Sequence, residues 1–153
     1  MSLPYAIDAE QPLTASELDV LRGQYERELN QGHASTQTKF NYAWGLVKSK
    51  RREDMALGVD LLTEIYRSDP PRRRECLYYL SLGHYKMGNF EEAKRFNALL
   101  MEREPHNQQA QSLNALIEKG VAREGYIGMA LMGGAAAVGG VLIAGLLRRG
   151  GRR

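Results

Sequence analysis

Two stretches of this chain repeat at a spacing of 35 residues, and that repeat constrains the fold more than any other feature. Shifting the sequence by 35 lays Tyr42 on Leu77, Gly45 on Leu80, Gly58 on Ala93, Ile65 on Leu100 and Pro70 on Pro105. Small residues recur where two helices would cross closely, large apolar residues surround them, and a proline closes each copy. This is the tetratricopeptide pattern, in which each helix pair buries its apolar face against its neighbour. The second copy, through Gly88-Asn-Phe-Glu-Glu-Ala93, follows the pattern better than the first. A plain six-helix bundle is the alternative that the pattern leaves open.

The spacing of apolar residues places helices on both sides of and within the repeats. Thr14-Ala-Ser-Glu17 has the form of a capping box, and Leu18, Leu21, Tyr25 and Leu29 then follow at three- and four-residue intervals. Gly32 is a suitable stop. Further helices are expected at about Gln37–Ser49, Glu53–Ser68, Arg72–Met87, Phe90–Arg103 and Asn107–Arg123, with Leu57, Leu61, Leu62 and Ile65 inward on the second of these five. Asn89 and Glu92 repeat the capping-box spacing. Two repeats do not close a core alone, so the first and sixth helices are expected to cap the stack. Residues 1–13 hold Pro4 and Pro12 and read as an irregular arm.

From Tyr126 to Leu147 run 22 residues without a charge. As a helix at ~1.5 Å per residue they would cross a hydrocarbon core of about 30 Å. Six glycines and five alanines make up half of the segment, and eight Leu, Ile or Val residues drive insertion. A sum of about −2 to −5 kcal/mol follows from ~−0.3 to −0.6 per residue. The expectation is a transmembrane tail anchor at 126–147, inserted after translation, with residues 14–124 a cytosolic domain. The terminal Arg148, Arg149, Arg152 and Arg153 form a basic tail at 148–153. Modest hydrophobicity followed by a short basic end suits the mitochondrial outer membrane. The small residues Ala136, Gly140 and Ala144 recur four apart and would allow two such helices to pair.

The fold class expected is therefore all-α: a six-helix tetratricopeptide-like bundle, two helix pairs capped by flanking helices, plus one C-terminal transmembrane helix. Charge supports neither an enzyme nor a nucleic-acid binder. Net charge is +3, but the four terminal arginines account for it, leaving residues 1–125 at −1 and without a basic face. The lone Cys76 lies among bulky apolar residues and reads as a buried thiol. His33, His84 and His106 lack metal-ligand spacing, and no phosphate-binding loop occurs, so no cofactor is expected. Glu91-Glu92 opens a helix, where acids favour the dipole. Arg72-Arg73-Arg74 reads as a solvated face, or as a patch for partner acids or anionic lipid.

What remains is a surface for another protein. Positions 2, 5, 9 and 12 of the first helix in each pair line the concave groove of this architecture. Here they are Phe40, Ala43, Val47 and Lys50, then Glu75, Tyr78, Leu82 and Tyr85. The strip is apolar and aromatic, with one acid and one lysine at its edges. Clamping a C-terminal carboxylate would need Lys, Arg and Asn there, so that use is excluded. A tethered arm carrying Tyr5 and Ile7 would reach the strip at high effective concentration.

The strings Phe40-Asn-Tyr-Ala-Trp-Gly-Leu-Val-Lys48 and Arg72-Arg-Arg-Glu-Cys-Leu-Tyr-Tyr-Leu80, continuing to Gly-His-Tyr-Lys-Met-Gly88, together with the Gly-rich span and arginine end, resemble the mitochondrial fission protein 1 family, particularly its fungal members. The resemblance extends from Leu13 onward. It implies a tail-anchored adaptor on the outer mitochondrial membrane, and on peroxisomes, that recruits a dynamin-related GTPase through a WD-repeat adaptor. It also implies partner contacts at Glu75 and Leu77 and an arm laid across the groove. Two other readings stay open: an import receptor for presequences, and a structural dimer held by the span.

Overall fold

The computed structural model describes the backbone of residues 3–150 and the side chains of residues 3–133. Two compact units divide the chain, residues 1–117 and residues 118–153. The first unit contains α1 (Ala6–Ala9), α2 (Ala15–Asn30), α3 (Thr36–Val47), α4 (Arg52–Ser68), a 3-10 turn (Pro70–Arg72), α5 (Arg73–Lys86), α6 (Phe90–Arg103) and the start of α7 (Gln108–Gly150). No strand occurs among the described residues.

Local chemistry accounts for most helix boundaries. The Thr14 hydroxyl accepts from the Glu17 amide at 3.2 Å and the Glu17 carboxylate accepts from the Thr14 amide at 2.8 Å, completing the expected capping box. These bonds hold the Glu17 carboxyl below the usual carboxylate range. Ser35 caps α3 through the Thr38 amide at 3.1 Å. Asn107 does the same for α7, its side-chain oxygen accepting from Ala110 at 2.9 Å. Gly32 turns the chain at a φ of 134°, a conformation that a β-carbon disfavours. Asn89 departs from expectation: its side chain makes no cap bond, and Glu92 pairs with Arg95 at 2.6 Å instead.

Crossing points carry the small residues that the repeat led us to expect. A β-carbon on Gly58 would lie 2.9 Å from the Ala43 carbonyl oxygen, so α3 and α4 meet backbone to backbone. One on Gly83 would lie 2.7 Å from Val59 Cγ2, where α4 meets α5. Ala93 is fully buried, and its carbonyl accepts from Ser81 at 2.7 Å across the α5–α6 contact. Asn97, also buried, donates 2.8 Å to the Ala110 carbonyl and joins α6 to α7. Leu62, Ile65, Leu80, Leu100, Leu113 and Ile117 fill the interior between these crossings.

Four expectations need correction. Leu29 and Leu57 are 45% and 42% exposed, because their positions lie at the edge of the apolar stripe. The arm contains the short helix α1, where an irregular path was expected. The sixth helix does not end near Arg123 but is continuous to Gly150. The run Arg72-Arg73-Arg74 is occupied within the fold and is no open patch. Arg72 pairs with Asp69 at 3.3 Å, Arg73 donates 2.9 Å to the Tyr66 carbonyl, and Arg74 pairs with Glu104 at 2.7 Å.

Among the described residues no helix is long and apolar enough to cross a membrane. The expected span at 126–147 lies largely outside the residues whose side chains are described, as do Arg148, Arg149, Arg152 and Arg153.

Candidate functional site

The first helix of each pair, α3 and α5, carries the residues expected to line a groove. Ala43, Val47, Tyr78 and Leu82 have no solvent exposure, and Phe40 has 3%. Tyr85 is partly covered. The strip expected to be open thus forms part of the apolar core, and the N-terminal arm covers it. Leu3, Ala6 and Ala9 are 3%, 1% and 1% exposed and belong to the same cluster as Val47, Tyr78 and Leu82. The spacing of three puts Ala6 and Ala9 on one side of the single turn of α1, and Leu3 enters from the extended chain before it.

Polar contacts fix the arm in register. The Tyr78 hydroxyl donates 2.7 Å to the Pro4 carbonyl. Burial pushes the Tyr78 phenol well up, so it keeps its proton and remains a donor. The Ala6 amide donates 3.2 Å to the Ser112 hydroxyl, and Tyr5 donates 2.7 Å to Gln108, both on α7. Burial raises the pKa of Tyr85 and lowers that of Lys86, and the negative charge of Glu10, at the end of α1, acts to raise both. Tyr5 and Ile7, expected to face the strip, instead point outward at 44% and 73% exposure. A helical turn at Ala6–Ala9 turns small residues inward where an extended arm would have presented Tyr5 and Ile7. The i, i+3 spacing of Ala6 and Ala9 was the available signal, though a pattern of two residues is short.

Lys50 also falls elsewhere. Helix α3 ends at Val47 with Lys48 as its cap, so Lys50 lies in the following loop and is exposed. Leu77, at 1% exposure, points into the core and presents no surface to a partner. The sulfur of Cys76 is likewise buried, its thiol pushed up to about 12 by desolvation, which leaves it inert as a nucleophile.

Beyond the covered strip an open cavity remains, of about 550 Å³, lined by Gln37, Phe40, Asp69, Pro71, Arg72 and Glu75. The Arg72 guanidinium lies 5.8 Å from the Phe40 ring centroid and donates 2.8 Å to Gln37. Phe40 packs edge-on against Tyr79 at 6.0 Å. Pro71 and Phe40 supply apolar wall, and Arg72 is neutralised by Asp69. Glu75 is partly exposed and forms no ion pair among the described residues, which leaves one negative charge at the rim beside the paired Arg72 and Asp69. Apolar wall with one free carboxylate suits a peptide that presents an apolar side chain next to a cation. No group of His, Cys, Asp and Glu able to hold a metal occurs among the described residues.

Residues 37–69 match the family described as the Fis1 N-terminal tetratricopeptide repeat, and residues 74–126 match the Fis1 C-terminal tetratricopeptide repeat. A mitochondrial fission 1 protein of Mycosarcoma maydis is 78% identical over 99% of this chain and 100% of its own length. The chain belongs to the mitochondrial fission 1 protein family. Its fold agrees with the crystal structure of fission protein Fis1 from Saccharomyces cerevisiae at a TM-score of 0.76 and 42% identity, over 83% of this chain and 98% of that one. A crystal structure of yeast Fis1 in complex with an Mdv1 fragment, containing N-terminal extension and coiled coil domains, agrees at 0.74 and 43% identity, over 80% and 95%. The all-helical tetratricopeptide reading thus holds against both the sequence family and solved folds. Within this family the two matched segments coincide with the α3–α4 and α5–α6 pairs, the second running on into α7.

Proposed function

We propose that this protein is a membrane-anchored adaptor that recruits a dynamin-related GTPase, through a WD-repeat adaptor, to the outer mitochondrial and peroxisomal membranes, and so promotes organelle fission. The observation that carries the reading is the cavity at the start of α3 and α5, with its apolar wall of Phe40 and Pro71 and Glu75 at its rim. A relative 43% identical has a complex with an Mdv1 fragment, which supports a role in binding another protein. Residues 126–147, uncharged throughout, are the proposed anchor. The arginines Arg148, Arg149, Arg152 and Arg153 are the proposed mitochondrial address.

In this reading Pro71 and Glu75 meet the partner directly over the buried Phe40, and Tyr78, Leu82 and Tyr85 lie beneath the arm as its seat. The test is binding of the cognate adaptor's N-terminal segment to the full chain reconstituted in liposomes. Glu75→Lys reverses the rim charge without breaking any ion pair, so the melting temperature stays within about 2 °C while affinity falls at least tenfold, about 1.4 kcal/mol. Unchanged affinity in the folded variant would remove Glu75 and its cavity from the site. Capture of presequence peptides in preference to the adaptor would favour an import receptor.

A further inference from the structure

The methionines among the described residues are not equally sheltered. Met55 is buried, and Met87 and Met101 are partly buried against the core. Met129 and Met132, on α7, are 75% and 76% exposed. This pair sits where the proposed anchor is poorest in large apolar side chains. Of the eight Leu, Ile and Val residues between Tyr126 and Leu147, only Ile127 and Leu131 precede Val138. Apart from Tyr126 and the two methionines, the rest of that first half is Gly and Ala. A spanning helix needs at least about 17 apolar residues. Residues 133–147 number 15 and reach ~22 Å as a helix, short of a hydrocarbon core of about 30 Å. Crossing therefore depends on the turns that carry Met129 and Met132 staying apolar.

We propose that Met129 and Met132 are sites of oxidation by hydrogen peroxide, and that their modification shortens the anchor; the inference rests on reading residues 126–147 as that anchor. A thioether sulfur attacks one peroxide oxygen, an S–O bond forms and the O–O bond breaks. The departing hydroxide takes the remaining proton from the transferred oxygen and leaves as water. Each sulfur loses two electrons and each peroxide gains them. A methionine sulfoxide is polar where the thioether was apolar, and hydrocarbon offers its oxygen no donor. With both sites oxidised, the uninterrupted apolar stretch starts at Gly133 and is too short to span. Exposure makes these two sulfurs react ahead of Met55, Met87 and Met101.

The test treats the full chain in mild detergent with hydrogen peroxide and follows oxidation at each methionine by mass spectrometry. The product is reconstituted with phosphatidylcholine vesicles, washed with carbonate and floated on a density gradient. Met129 and Met132 should oxidise first, and the ratio of bound to free chain should then fall about tenfold or more, the equivalent of ~1.4 kcal/mol. The double variant Met129→Leu, Met132→Leu, given the same peroxide, should float as the untreated chain does, which assigns the loss to these two sulfurs and not to damage in the helical domain. Oxidation of the pair no faster than at Met55, unchanged flotation of the oxidised chain, or equal loss in the leucine variant overturns the proposal and leaves the anchor standing. Release of the untreated chain by carbonate removes the anchor itself, and the proposal with it.

Discussion

Truncating Leu3 to alanine separates the hold of the arm from the stability of the domain beneath it. Leu3 is 3% exposed and packs in the cluster that includes Val47, Tyr78 and Leu82. Removing three carbons costs about 2 kcal/mol of transfer free energy. In a helix core that cost falls on global unfolding. Leu82→Ala, from full burial, should lose ~2–5 kcal/mol and several degrees of melting temperature. Leu3 differs because the chain before Thr14 can leave the surface while the capped helices stay folded. The cost therefore falls on arm docking alone, as a local opening.

The Ala9 and Glu10 amides report that opening, since they donate to Tyr5 at 2.9 Å and to Ala6 at 3.0 Å. In Leu3→Ala their hydrogen exchange should speed up about 30-fold, the equivalent of ~2 kcal/mol, while the melting temperature moves by less than about 2 °C. Native-state exchange followed by NMR, with circular-dichroism melts on both variants, reads the two quantities together. If Leu3→Ala melts as early as Leu82→Ala, with the arm amides exchanging only at the global rate, arm and domain are one cooperative unit and the reasoning fails.

Two further predictions follow from geometry and charge. Gly58→Ala places a β-carbon 2.9 Å from the Ala43 carbonyl oxygen and should destabilise by about 1–3 kcal/mol. Gly23→Ala meets nothing nearer than 3.7 Å on a helix and should stabilise by about 0.5–1 kcal/mol; paired chemical denaturations compare them, and equal effects would refute the close α3–α4 crossing. His84 is stacked on Phe96 at 5.5 Å with Nδ1 buried and unpartnered, and desolvation lowers its pKa. The unfolded state then binds the proton more readily, so the contribution of His84 to stability is full above about pH 6.5 and is lost as pH falls below it. Melting temperatures from pH 7 to 5 should drop less in His84→Gln than in wild type, and parallel curves would exclude His84 as a source.

The parts of this protein readable from sequence are those whose causes lie within a turn or two of helix. Thr14 and Glu17 are three residues apart, so their capping box needs no other part of the chain. The 35-residue register put Gly58 and Ala93 at equivalent crossings because each helix pair solves the same packing problem. The aromatic and apolar strip on α3 and α5 was equally legible as a face, from Phe40, Val47, Tyr78 and Leu82.

Whether that face is open or covered was decided only in three dimensions. Tyr78 bonds Pro4 across 74 residues and Ala6 bonds Ser112 across 106, contacts that no local window contains. Leu3 stands before Pro4, and Ala6 and Ala9 alone make too short a pattern to show a buried turn, whereas Tyr5 and Ile7 stand out by size alone. The arginine run Arg72–Arg74 looked solvated for the same reason: its partners Tyr66 and Glu104 are 7 and 30 residues away. Helix formation depends on neighbours that the sequence lists in order, but exposure depends on which distant surfaces meet, and that is a property of the packed chain.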